Sequence, residues 1–268
     1  MTLPDGPVDD QPTTRLTFND SNHSYYLRRP NGRRTRIPSV STLVRLLHPF
    51  DNDRWKVGRA MEGAAAQFDD IAALVPGLRR DRMVELGLER LAEGRDFGTS
   101  VHHYAEQLWT GETVDVPEQY AGHVHGIADW FDQSGASVVA AEQLVWADED
   151  EWTGGCAVAG RFDLIVDHPT LGRTLVDLKT YAAESKGDPR PAQWALQLAG
   201  YAAMEFAVLD DIDIPMHRVD NLAVLHVGAD GAQLYVADLE SQHRAHDQWE
   251  TLRALKNLPK PTMEGTPA

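Results

Sequence analysis

Three short stretches hold residues that could act together: Gly160-Arg161-Phe162-Asp163, then Val176-Asp177-Leu178-Lys179-Thr180, then Gln193, Gln197 and Tyr201, spaced four apart. Two aspartates offer hard oxygen ligands to magnesium or manganese, and a lysine two residues from one of them can orient or polarise an attacking water. Hydrolysis of a phosphodiester suits such a set. An amide and a phenol would add hydrogen bonds to a phosphate oxygen or water without bringing charge that competes with the metal. Taken alone, Asp-x-Lys has a plainer reading. On a solvent-facing strand it is a surface pair worth roughly 0–1 kcal/mol, and so short a motif needs its structural context.

Phe162 to Asp167 and Thr174 to Leu178 are rich in apolar and β-branched residues, and His168 to Arg173 between them carries turn residues, so two antiparallel strands are expected. Side chains alternate along a strand, which sends Asp177 and Lys179 to one face and Val176 and Leu178 toward a core. Ala192 to Leu209 has helical periodicity, with Gln193, Gln197 and Tyr201 on one face. Upstream, a helix beginning at Gly98 or Thr99 would put His102 and Glu106 on a common face, with Val101, Ala105 and Leu108 as its packed stripe. His103 projects about 100° away from His102. Val138 to Trp146 reads as a first strand of the central sheet and carries Glu142, a further acid.

The order Gly98-x-x-x-His102-x-x-x-Glu106, Gly160-x-x-Asp163, Asp177-x-Lys179, Gln197-x-x-x-Tyr201 resembles the PD-(D/E)XK nuclease superfamily, within it the RecB-like group that includes phage exonucleases. The likeness runs over roughly Phe97 to Met204. It implies an α/β fold with a mixed central β-sheet flanked by helices, here with an N-terminal β-hairpin and helical extension. It also implies Mg2+ or Mn2+ held by His102, Asp163, Asp177, the Leu178 carbonyl and Glu142, with Lys179 helping the attacking water. Gln197 and Tyr201 would line the active-site face, and Glu106 would orient the imidazole as outer carboxylates do. The substrate implied is DNA, at ends, in recombination, repair or phage DNA processing, with a single-strand annealing or recombinase protein as partner, in a bacterial or phage-infected host cytoplasm. A structure-specific or nicking endonuclease would share every one of these residues. A non-catalytic DNA- or protein-binding module on the same fold, or a hydrolase of nucleotides or small phosphoesters, are the other readings.

The chain has 268 residues, 42% of them hydrophobic and 25% charged, enough for a sizeable core. Residues 14–258 are expected to form one nuclease domain with its core at about 97–240, after a disordered 1–13 and before a flexible tail at 259–268. Cys156 is the single cysteine, which excludes an intramolecular disulfide and the four-thiolate iron–sulfur cluster of some RecB-like nucleases. No signal segment, membrane span or Gly-rich phosphate loop is found.

A net charge of −16 is awkward for binding phosphates, but residues 1–60 hold ten Lys or Arg against six Asp or Glu, leaving 15 against 35 for the rest. Leu16 to Phe18, Tyr25 to Leu27 and Thr35 to Pro38 suggest a β-meander whose Asn31-Gly32 turn is crowded by Arg28, Arg29, Arg33, Arg34 and Arg36. Arg33, Arg34, Arg36, Trp55 and Lys56 are the expected DNA contacts, through phosphate grip and base stacking. Ser39 should cap a helix over Val40 to Leu47, and Ile71 to Leu78 and Arg79 to Leu91 should form two more, with Arg79, Arg80 and Arg82 adding to a basic rim. Asp148 to Glu151 reads as a solvated acidic loop.

Overall fold

The computed structural model describes residues 13–47, 52–112, 114–181 and 192–258, with backbone alone at 52–56, 59, 60, 91 and 95. The expected disordered start and flexible tail therefore lie outside the described residues, apart from Thr13. The chain opens with an antiparallel meander of β1 (Leu16–Asn19), β2 (Ser24–Arg28) and β3 (Arg34–Ile37). Its second turn needs Gly32, at φ +79°, where a Cβ is strained. Ser39 then caps α1 (Val40–Leu47) by accepting the Thr42 amide at 3.1 Å.

Next come α2 (Asn52–Ala66), α3 (Phe68–Ala73) and α4 (Pro76–Trp109). The helix expected over Ile71 to Leu78 is divided, its start closing α3 and its end opening α4, and the helix expected over Arg79 to Leu91 and the fresh start expected at Gly98 are merged into the 34-residue α4. Proline in the first turn fits a helix start, and nothing after it breaks the ladder. Glycine costs a helix only about 1 kcal/mol, and a Cβ on Gly98 would come within 3.3 Å of Thr180 Oγ1. Gly98 thus marks a close crossing inside a helix and not a helix end.

After α5 (Glu118–Ser134) the chain enters two sheets through β4 (Ser137–Ala141), β5 (Leu144–Ala147), β6 (Val158–Arg161), β7 (Leu164–His168) and β8 (Gly172–Thr180). It continues through α6 (Ala192–Ala202), β9 (Phe206–Leu209), β10 (Ile212–Pro215), β11 (Asn221–Gly228), β12 (Gly231–Val236) and α7 (Leu239–Asn257). The central sheet has the order β12-β11-β8-β7-β4, with β8 antiparallel to β7 and parallel to β11. This is the expected α/β architecture with a mixed central sheet flanked by helices. Val176 and Leu178 pack with Val101, Ala105 and Ile127 of α4 and α5, while Leu175 and Val224 pack with Leu196 of α6 and Trp249 of α7. Both faces of β8 are therefore covered.

Two expected elements are divided. Val138 to Trp146 breaks at Glu142, whose φ of +48° turns the chain out of the strand. β4 stays on the edge of the central sheet beside β7, and β5 leaves to join a second sheet of order β10-β9-β5-β6. The helix expected to reach Leu209 stops at Ala202, and β9 pairs with β5, Val145 opposite Ala207. A short apolar run fits a buried helix or a buried strand equally, and here pairing decides.

The meander packs on this second sheet through Leu16, Leu27, Ile37, Trp146 and Ala159. Among the described residues no helix is long and apolar enough to cross a membrane. Where α1 and α6 cross β6, an added Cβ on Gly160 would sit 2.5 Å from Tyr201 Cε1 and 3.1 Å from Val40 Cγ2. Gly160→Ala should therefore destabilise the fold by about 1–3 kcal/mol through overpacking, read as a lower urea midpoint at unchanged m-value.

Candidate metal centre and active site

Asp163 sits in the bend between β6 and β7, and its Oδ2 accepts the Leu178 amide of β8 at 2.7 Å. That bond ties the first acid to the backbone between Asp177 and Lys179. On the α6 side of β8, Lys179 Nζ lies 2.6 Å from Asp177 Oδ2. Gln197 Nε2 donates to Asp177 Oδ1 at 3.2 Å and to the Tyr201 hydroxyl at 3.3 Å, so Gln197 bonds the carboxylate and Tyr201, one turn on along α6, bonds Gln197.

The Asp177–Lys179 pair is not the surface pair that its spacing alone permits. Asp177 is only 3% exposed. Burial raises its pKa, the Lys179 charge opposes that rise, and Asp163 adds to it. Burial would by itself lower the Lys179 pKa, but the charges of Asp177 and Asp163 outweigh it and leave a firm ammonium. Tyr201 is held above the usual phenol range, first by burial and then by Asp163 and Asp177, and stays protonated.

His102 reaches the same place from α4. Its Nε2 is 3.1 Å from the Leu178 carbonyl oxygen, which can only accept, so Nε2 is the donor there, and Nδ1 lies 3.8 Å from Asp163 Oδ2. The carbonyl of Leu178 is thus the group that orients the imidazole. Glu106 is exposed and acts instead through its charge on Glu142. His103 is exposed, turned toward Tyr104.

Ligand atoms of His102, Glu142 and Asp163 all lie within 4.8 Å of one another. The Glu142 carboxyl is pushed up to about 8, by burial first and then by Asp163 and Glu106, against the pull of Arg161. A set of hard oxygen and imidazole donors in which negative charges crowd each other fits a divalent cation. Of the five expected ligands these three converge. Asp177 is taken up by Lys179 and Gln197, and the Leu178 carbonyl by His102.

Glu142 is held in its left-handed conformation from both sides: its amide donates to the Asp163 carbonyl at 2.8 Å, and the Phe162 amide donates to the Gln143 carbonyl at 3.3 Å. A non-glycine residue at such a φ costs of order 1 kcal/mol and persists only when its surroundings impose it. Arg161 was not singled out from the sequence. It stands over the Phe18 ring at 4.9 Å and is the cation that acts on Glu142. Its place two residues before Asp163 was the available signal.

Arg33, Arg34 and Arg36 are exposed on the β2–β3 hairpin, with Arg34 over the Tyr26 ring at 5.7 Å. The side chains of Trp55 and Lys56 lie outside the described residues. Asp148 and Glu149 are not freely solvated, since Arg15 and Arg29 pair with Asp148 at 2.9 and 3.2 Å and Arg29 with Glu149 at 2.8 Å. In the expected basic rim, Arg79 caps α3 through the Ala72 and Leu74 carbonyls and Arg82 pairs with Glu85 and Glu89.

A sequence model of the PD-(D/E)XK nuclease superfamily matches residues 12–256. The chain belongs to that superfamily. Its members are phosphodiester-cleaving nucleases that use divalent metals. Among solved structures, one described as "Crystal structure of SSO0001" is similar at 15% identity and a TM-score of 0.27. That match covers 51% of this chain and 62% of the other, so the chain spans under two thirds of that protein's length. No curated protein matches the chain.

The buried Asp177–Lys179 pair should show in the stability of the fold. Removing one partner of a fully dry pair costs about 3–5 kcal/mol. Lys179 is 29% exposed at its side chain, so Lys179→Ala should cost less, about 1–3 kcal/mol. The loss should be larger at pH 8 than at pH 5. A buried acid whose folded pKa is raised holds its proton longer in the folded than in the unfolded state, so stability falls as pH rises from the unfolded toward the folded value. Urea titrations in EDTA at the two pH values check this.

Proposed function

We propose that the chain is a divalent-metal-dependent DNA nuclease of the RecB-like exonuclease kind, a single domain over residues 14–258 that works at DNA ends in recombination, repair or phage DNA processing. The observation that carries it is the convergence of His102 from α4, Glu142 from the β4–β5 break, Asp163 from the β6–β7 bend and Lys179 from β8 on one site. The RecB-like part rests on Gly98-x-x-x-His102, since Gly98 lets α4 come close to Thr180 and His102 bonds the backbone of β8.

His102, Glu142 and Asp163 would hold the cation, with Asp177 next to them. A bound Mg2+ or Mn2+ supplies Lewis acidity toward the phosphoryl oxygens and the attacking water. The side chains do the positioning. Tyr201 bonds Gln197, Gln197 fixes Asp177, and Asp177 fixes the Lys179 ammonium. As a firm ammonium, Lys179 does not remove a proton; it donates hydrogen bonds to the attacking water or to a phosphoryl oxygen and offsets charge that develops there. Exposed Arg33, Arg34 and Arg36 supply sequence-independent phosphate contacts.

End-labelled linear duplex DNA, incubated with magnesium, manganese or EDTA, tests the reading. Wild type should cut only with metal, His103→Ala should behave like it, and folded Lys179→Ala should be slower by about 100-fold or more. Binding without cutting by the wild type would turn the reading into a non-catalytic module, and equal cleavage of covalently closed circles would make it an endonuclease.

A further inference from the structure

We infer that Tyr181, His226 and Trp194 form a stacking platform for an unpaired nucleobase of the strand whose phosphate is held at Lys179. This rests on the nuclease reading above and adds to it the state of the substrate. In the register of β8 with β11, Lys179 lies opposite His226. Residues paired across neighbouring strands share a face of the sheet, so the imidazole stands beside the lysine. Tyr181 follows two residues after Lys179, and its amide donates to the Val227 carbonyl at 3.0 Å, extending the ladder past Thr180. Its ring lies on His226 with centroids 4.1 Å apart and planes at 15°. Trp194, 6.0 Å from His226, is three residues ahead of Gln197 on α6. The aromatic group is thus continuous with the residues that fix the catalytic carboxylate.

The Tyr181 ring is held in place on several sides. Its hydroxyl donates to Asp230 Oδ1 at 3.1 Å, and His123 Nε2 bonds its carbonyl at 3.1 Å. A Cβ on Gly228 would run into the tyrosine ring, so glycine there leaves the space in which the ring lies flat. A core cluster would be closed over, but Tyr181, His226 and Trp194 are each only half-buried, and a cavity of about 210 Å³ opens beside the first two. That cavity is lined by no Lys or Arg and by one carboxylate, Asp230, which repels a phosphate. Burial lowers the His226 pKa, so the imidazole is a neutral flat surface. What such a site takes is the uncharged face of a base, and a base offers that face only when it is out of its duplex stack.

Fluorescence-anisotropy binding in EDTA, where nothing is cut, tests the platform with a single strand and the same strand carrying consecutive abasic residues. One base on an aromatic surface is worth ~1–3 kcal/mol, which converts to about 5- to 150-fold in affinity. Wild type should bind the intact strand tighter within that range, Tyr181→Phe should keep the preference, and folded Tyr181→Ala should lose it. Equal binding of the two strands by wild type, or an undiminished preference in Tyr181→Ala, would overturn the proposal. The wild-type comparison decides alone if Tyr181→Ala does not fold. Failure of the nuclease reading shows separately, as no cleavage with magnesium or manganese while the base preference persists.

Discussion

Burying the carboxylate of Asp177 is the constraint that the rest of the site answers to. A carboxylate at 3% exposure needs a counter-charge and hydrogen bonds, because an unpaired ion inside a protein is strongly disfavoured. Lys179 supplies the first from two residues along the same strand, and Gln197 supplies a bond from α6. Both depend on α6 covering this face of the central sheet, which in turn requires Gly160 and Gly200 where Tyr201, Val40 and Trp249 press close. Tight packing and charge pairing are here one arrangement seen from two sides.

A second tension lies across the strand. Glu142 is forced by the break between β4 and β5 into a left-handed conformation, with its carboxyl directed to Asp163 and His102. The bond from the Leu178 amide to the Asp163 carboxylate and the backbone bond from the Glu142 amide to the Asp163 carbonyl hold the acids together although their charges repel. Burial first, and then the crowding of Asp163 and Glu106, raises the Glu142 pKa to about 8, and a dication is the natural relief for such a cluster. Strain and repulsion therefore concentrate where the chemistry is proposed, as at many functional sites.

Charge is divided over the molecule in a way that suits these demands. The arginines of the meander serve two purposes: Arg15 and Arg29 anchor the Asp148–Glu149 turn, and Arg33, Arg34 and Arg36 remain exposed. Arg253, buried on α7, bonds the Cys156 and Asp148 carbonyls and so holds the β5–β6 connection against the last helix. The net charge of −16 thus coexists with local positive surface.

The amino-acid sequence by itself determined the local elements and the pairing of chemistry within them. Alternation placed Asp177 and Lys179 on one face, the 168–173 turn set the β7–β8 hairpin, Ser39 set the start of α1, and spacing of four put Gln197 beside Tyr201. These are short-range properties that depend only on strand and helix periods. Tertiary structure decided whether that face was wet or dry, that α4 runs unbroken past Gly98, and that Val138 to Trp146 divides between two sheets. It also chose His102, Glu142 and Asp163 as the converging donors and set His226 beside Lys179. Each of these rests on a contact between residues far apart in the chain, and the free energy that selects it appears only when the partner is in place.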